Sequence, residues 1–192
     1  VAKDNPLNSR LLETRLTRRG HAVKVAVEGK ACVDAFKSTP QAFDIILMDI
    51  QVSVHLSAKH FERPNLRDFC DMIVHSVNHF QMPLVDGIDA TRMIREFEKD
   101  PSSGVQLSPR VATYGRIPIA AVSASLSEER VHEYIYSGFD GWILKRIDFK
   151  RLEAILIAIE DEETRGILLY GNGNWDKGGW FNVKSEGWAE NT

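Results

Sequence analysis

Phe43-Asp44-Ile45-Ile46-Leu47-Met48-Asp49 sets four consecutive apolar residues between two acids. Four apolar positions without polar alternation predict a strand buried on both faces, as in a parallel sheet with helices on either side. Ligands of such sheets bind at the carboxyl ends of the strands, which puts Asp49 at the mouth of a site. The stretch is then interrupted: thirty residues, 52–81, separate Gln51 from Met82-Pro83-Leu84-Val85-Asp86-Gly87.

Outward from this strand the chain alternates. Toward the amino terminus, Asn5 can cap and Pro6 can open a helix with Leu7, Leu11 and Leu12 on one face, stopped by Gly20. Val23, Val25 and Val27 alternate with polar or small neighbours and predict a strand, followed by a short helix over 30–38. Toward the carboxyl terminus, Ile88, Met93, Ile94 and Phe97 recur at helical spacing over 86–97, and a polar linker covers 99–115. A strand is predicted over 117–122, and Ser125-x-x-Glu128 reads as a capping box opening a helix that Gly138 ends. Residues 142–144 form a short strand, and Asp148 caps a last helix with Leu152, Ile155, Leu156 and Ile159 as its apolar stripe. Repeated strand and helix alternation predicts a parallel sheet with right-handed crossovers. The start at Val1 reads as a fragment whose first strand is cut short. Residues 161–192 interleave Gly171, Gly173, Gly178 and Gly179 with Trp175, Trp180 and Trp188, and this composition predicts a tail that packs loosely or is disordered.

Composition bounds the function. With 192 residues, 43% hydrophobic and 27% charged, the chain suits one globular domain plus extras. A formal net charge of -3 gives no polyanion signal, so nucleic acid is not an expected direct partner. Two cysteines, Cys32 and Cys70, suit a reducing compartment, and no apolar run is long enough to cross a bilayer. The expectation is a soluble, cytoplasmic chain without a membrane partner.

Four strand ends are expected to project polar groups: Asp4 after the first, Asp49 after the third, Ser123 after the fourth and Lys145 after the fifth. Singly, each is an ordinary capping or surface residue. At successive strand ends, two carboxylates and a lysine make a site for a hard cation and a phosphoryl group. Asp49 is then the nucleophile, forming an acyl phosphate, with Mg²⁺ between Asp4 and Asp49. Lys145 adds a charge-assisted contact, and the Ser123 hydroxyl bonds the phosphoryl group.

Over residues 1–160, insert apart, the chain resembles the receiver domain of two-component response regulators, most like those ending fungal-type hybrid histidine kinases. The resemblance rests on Asp4-Asn5-Pro6, on Leu47-Met48-Asp49-Ile50-Gln51 joined to Met82-Pro83-x-x-Asp86-Gly87, and on the stretches 118–124 and 138–145. It implies a CheY-like, flavodoxin-like doubly wound sheet of five parallel strands, order 2-1-3-4-5. It also implies a phosphorelay role, with Asp49 taking phosphate from a histidine phosphotransfer protein or a histidine kinase domain. The Gln51 backbone carbonyl becomes a third Mg²⁺ ligand, and Ser123 and Trp142 take the switch hydroxyl and switch aromatic positions. No kinase ATP-binding motif lies in this sequence.

Three departures surround Asp49. The family has an acid where Lys3 stands, which predicts weakened Mg²⁺ binding. Arg146 replaces a proline, so the Lys145-Arg146 peptide is expected to be trans, with Lys145 aimed elsewhere. The block 52–81 lies between two glutamines, and its excision restores Asp-Ile-Gln-Met-Pro, so it reads as a retained intron. If translated, Leu66, Phe69, Cys70, Ile73, Val74 and Val77 suit an amphipathic helix, while His55, His60, His75 and His79 with Cys70 lack a zinc site's paired cysteines. The competing function is a degenerate pseudo-receiver that binds partners without phosphorylation. A flavodoxin-type redox protein lacks its phosphate loop here, and a small hydrolase lacks its Gly-x-Ser-x-Gly elbow.

Overall fold

A computed structural model of the chain describes residues 6–50, 85–171 and 173–182, with side chains from residue 10 onward. Lys3, Asp4, Gln51 and the insert at 52–81 lie outside the described residues. The apolar run forms β1, Ile46–Asp49, in which Ile46, Leu47 and Met48 are buried. β2, Ile119–Ser123, is buried at every position, and β3 covers Gly141–Leu144. β1 pairs parallel with β2, Asp49 opposite Val122, and β2 pairs parallel with β3, Ser123 opposite Leu144. These are the third, fourth and fifth strands of the expected order, adjacent and parallel as predicted.

The helices are α1 (Pro6–Thr17), α2 (Gly29–Ser38), α3 (Gly87–Lys99), α4 (Val131–Tyr136), α5 (Phe149–Ile157) and α6 (Glu162–Ile167). Asp86 caps α3 by accepting from Asp89 N at 2.8 Å, and Asp148 caps α5 by accepting from Lys150 N at 2.9 Å. Such caps are worth about 1 kcal/mol each, because they satisfy backbone donors that the first helical turn leaves unpaired. The predicted stripe Leu152, Ile155, Leu156 and Ile159 is buried in one core with Leu47, Val122 and Ile143 of the strands. Burying each such side chain contributes about 1.5–3 kcal/mol, and this anchors the strand ends that carry the polar residues.

Four expectations change. Residues 23–27 form no strand; Val23 lines, with Phe36, Ile46 and Leu47, an apolar cavity of about 200 Å³, and among the described residues no strand pairs with this stretch. Among the described side chains of α1, Leu12 and Leu16 are buried while Leu11 is exposed, and Leu7 lies outside them. The capping box at Ser125 does not form: a 3-10 turn, Glu128–Arg130, precedes α4, and Ser125 bonds Ser123 instead.

The largest change concerns the C-terminal segment, which is packed rather than loose through Phe181. Gly179–Trp180 forms β4, antiparallel to β3, with Gly141 opposite Trp180 and Trp142 opposite Gly179. Leu168, Trp180 and Phe181 are buried. The glycines supply close approach rather than flexibility: a Cβ on Gly141 would run into the Gly179 carbonyl oxygen, and one on Gly179 into that of Leu168.

Candidate phosphoacceptor site

The carboxyl ends of β1, β2 and β3 lie side by side. Asp49 closes β1, Ser123 closes β2, and Lys145 follows β3 with its N–H donating to the Ser123 carbonyl at 2.9 Å. Lys145 Nζ donates to both Asp49 oxygens, at 2.8 Å to Oδ1 and 2.7 Å to Oδ2. The Asp49 side chain is 10% exposed and that of Lys145 30%, so the pair sits at a partly open mouth. The Lys145-Arg146 peptide is cis, where the lack of a proline predicts trans, and Lys145 is aimed at Asp49 rather than away from it. The expectation of a misdirected lysine is corrected by this contact.

The Ser123 hydroxyl is buried and turned toward its own chain. It accepts from Ser125 N at 3.1 Å and lies 3.1 Å from Ser125 Oγ. Gly87 opens α3 directly against β1: a Cβ there would lie 2.5 Å from the Asp49 carbonyl oxygen and 3.0 Å from Met48 Cγ. The Asp86-Gly87 pair thus caps a helix and lets its first turn touch the Asp49 backbone. Trp142, the expected switch aromatic, is fully buried under the C-terminal segment, its Nε1 donating to the Trp175 carbonyl at 2.8 Å. Asp49, Ser123 and Lys145 are therefore brought together, whereas Trp142 faces an aromatic cluster.

Of the expected magnesium donors, Asp49 alone is described, and its carboxylate is the hard oxygen donor such a cation takes. Asp4 and the Gln51 carbonyl lie outside the described residues. Two positions escaped sequence reasoning. Ser125 holds the Ser123 hydroxyl, and the Ser-x-Ser spacing was its available signal. Asp140 anchors a buried network beyond the opposite end of β3, accepting from Arg95 Nη2 and Arg116 Nη2 at 2.6 Å each and from Tyr114 Oη at 3.0 Å. Burial first, and the Asp140 charge second, push the Tyr114 phenol well above the ordinary tyrosine range.

Comparison with known proteins agrees with this geometry. No family model matches the chain. It is 29% identical over 159 residues to hybrid signal transduction histidine kinase I of Dictyostelium discoideum, covering 81% of this chain and 7% of that protein. It is 27% identical over 160 residues to the peroxide stress-activated histidine kinase mak1 of Schizosaccharomyces pombe, covering 83% of this chain and again 7% of the relative. The chain thus spans a small fraction of these curated relatives.

Among solved structures, the receiver domain of Saccharomyces cerevisiae Ssk1, in complex with the histidine phosphotransfer protein Ypd1, superposes with a TM-score of 0.55 at 20% identity, covering 85% of this chain and 88% of that one. The receiver domain of a Pseudomonas aeruginosa sensor histidine kinase, with magnesium in its active-site cleft, gives 0.52 at 22%, covering 83% and 94%. The fold is that of a CheY-like response-regulator receiver domain, and both of these sequence relatives are histidine kinases, the first a hybrid one. Among the described residues, no helix is long and apolar enough to cross a membrane.

Proposed function

We propose that this receiver domain accepts a phosphoryl group on Asp49 from the phosphohistidine of a histidine phosphotransfer protein or histidine kinase domain. The observation that carries the reading is the two-pronged Lys145–Asp49 contact at the carboxyl ends of β1 and β3, the parallel strands on either side of β2. An Asp49 carboxylate oxygen attacks phosphorus, the P–N bond to the donor imidazole breaks, and the imidazole leaves with the electron pair. Lys145 gives up one Asp49 oxygen and follows the charge onto a phosphoryl oxygen, a charge-assisted contact stronger than a neutral hydrogen bond. Ser123 exchanges its Ser125 partner for another phosphoryl oxygen. Mg²⁺, held by Asp4, Asp49 and the Gln51 carbonyl, would supply the neutralising charge for the phosphoryl oxygens. A reading as an interaction module that is never phosphorylated is not favoured, because Asp49 and Lys145 keep the pairing that the chemistry needs.

The test is to incubate the protein with acetyl phosphate, with and without Mg²⁺, and to weigh it intact. One phosphoryl adduct that needs Mg²⁺ and vanishes in Asp49→Asn is expected. An unmodified wild-type protein under conditions that phosphorylate a known receiver would overturn the proposal.

A further inference from the structure

Positive charge collects at a second place, separate from Asp49. Lys145 donates to Asp49, while the next residue, Arg146, lines an open concavity of about 480 Å³ bordered by the end of β3, the first turn of α5 and the turn Trp175–Lys177. Lys150 and Arg151 enter it from α5 and Lys177 from the turn, and neither Asp49 nor Ser123 lines it. Arg146, Lys150 and Lys177 are exposed, and among the described residues none of the four cations makes an ion pair. Elsewhere Lys30, Arg95, Arg110, Arg116 and Arg130 each face a carboxylate. Two carboxylates, Asp148 and Asp176, line the same space, and Asp148 is already engaged, its Oδ1 accepting from Lys150 N at 2.9 Å as the cap of α5. Four positive side chains thus stand against two negative ones, in a chain whose formal net charge is -3.

The borders of the concavity are held in place. Arg151 Nε donates to the Gly178 carbonyl at 2.8 Å, which orients the guanidinium and ties α5 to the C-terminal segment. Burial pushes this guanidinium below the ordinary arginine range, and the charge of Asp148 offsets only part of that. The turn is anchored too: Trp142 Nε1 donates to the Trp175 carbonyl at 2.8 Å, and the two indoles stack 5.1 Å apart at 10°. Cations held around one concavity repel one another, and an anion among them relieves that repulsion.

We propose that this concavity binds a small anion of the diphosphate class, with Arg146, Lys150, Arg151 and Lys177 supplying the charge. Arginine presents a planar fork that matches phosphoryl oxygens in pairs, and lysine adds a point charge. Two phosphoryl groups suit four cations better than one does, and the volume falls within the range of small-ligand sites. The excess of positive charge disfavours a metal cation. A nucleic-acid backbone needs an extended basic face, and here there is one concave cluster in a chain of net negative charge. The site does not depend on Asp49 being the phosphoacceptor.

Inorganic pyrophosphate is titrated calorimetrically into the full chain without Mg²⁺ at physiological ionic strength, with inorganic phosphate and ADP in parallel. One saturable site is expected, with pyrophosphate bound about tenfold or more tighter than phosphate. ADP bound as tightly as pyrophosphate upholds the site for diphosphate esters, and weaker ADP binding upholds it for the free anion. Arg146→Ala and Lys177→Ala, both at exposed positions, should each weaken pyrophosphate binding about tenfold, the worth of one charge-assisted hydrogen bond. Lys99→Ala, outside the concavity, and Asp49→Asn should leave it unchanged. Absence of saturable binding, or equal affinity for phosphate and pyrophosphate, overturns the proposal. Binding that survives both cation variants or disappears in Asp49→Asn overturns it as well, by placing the anion elsewhere.

Discussion

Asp49 and Asp140 are both strand-end aspartates facing cations, yet they are built for opposite purposes. Asp140 precedes β3 at its amino end, 1% exposed, and five donors converge on it: Arg95 Nη2, Arg116 Nη2 and Nε, Tyr114 Oη and the backbone N–H of Ile119. Arg95 is used up in turn, donating also to Glu98 and to the carbonyls of Gly138 and Ile117. Asp49 closes β1 at the carboxyl end of the sheet, and both its oxygens accept from the Lys145 ammonium, which sits on a flexible, partly exposed stem. A saturated buried carboxylate has no lone pair to give and fixes structure. A carboxylate gripped by a movable ammonium can bond to phosphorus while that ammonium follows the charge onto a phosphoryl oxygen.

The sharpest way to break this contrast is to remove each acid. Asp140→Ala leaves Arg95 and Arg116 facing a buried hole and should cost about 3–5 kcal/mol in urea unfolding, the penalty for stranding a buried partner. Asp49→Asn, at a partly open site, should change stability by less than about 1 kcal/mol. Equal losses would mean that Asp49 is structural too.

A smaller effect sharpens the Asp140 side. The Tyr114 phenol titrates higher folded than unfolded, because burial and the Asp140 charge disfavour the phenolate. Its contribution is therefore complete below the unfolded value of about 10 and is lost as pH rises from there toward the folded value. Stability should fall above about pH 10, and Tyr114→Phe should flatten that fall while costing about 1 kcal/mol at neutral pH. An alkaline limb identical in the two proteins would place the titration elsewhere.

The same contrast explains what was legible in the sequence. Asp49 ends an apolar run, Ser123 ends the next strand and Lys145 follows the one after, so local pattern and strand order together predict the candidate site. Asp140 collects Arg95, Tyr114 and Arg116 from positions 45, 26 and 24 residues away, a convergence that no local period encodes. The C-terminal segment was misread for a related reason. Gly178 and Gly179 beside Trp175 and Trp180 have the composition of a loose tail, and only the facing Gly141 reveals that they permit close approach. Residues 23–27 have the alternation of a strand, but a strand needs a neighbour, and among the described residues they have an apolar cavity, shared with β1, in place of one. Ser125 had the spacing of a cap, and the nearer Ser123 hydroxyl won it.

Asp49 is the carboxylate proposed to become phosphorylated. Borohydride reduces an aspartyl phosphate to homoserine, so reduction of the phosphorylated protein followed by peptide mass mapping marks the acceptor residue directly. Homoserine is expected at position 49. Homoserine at another aspartate, or none in protein whose intact mass carries the phosphoryl group, would contradict it.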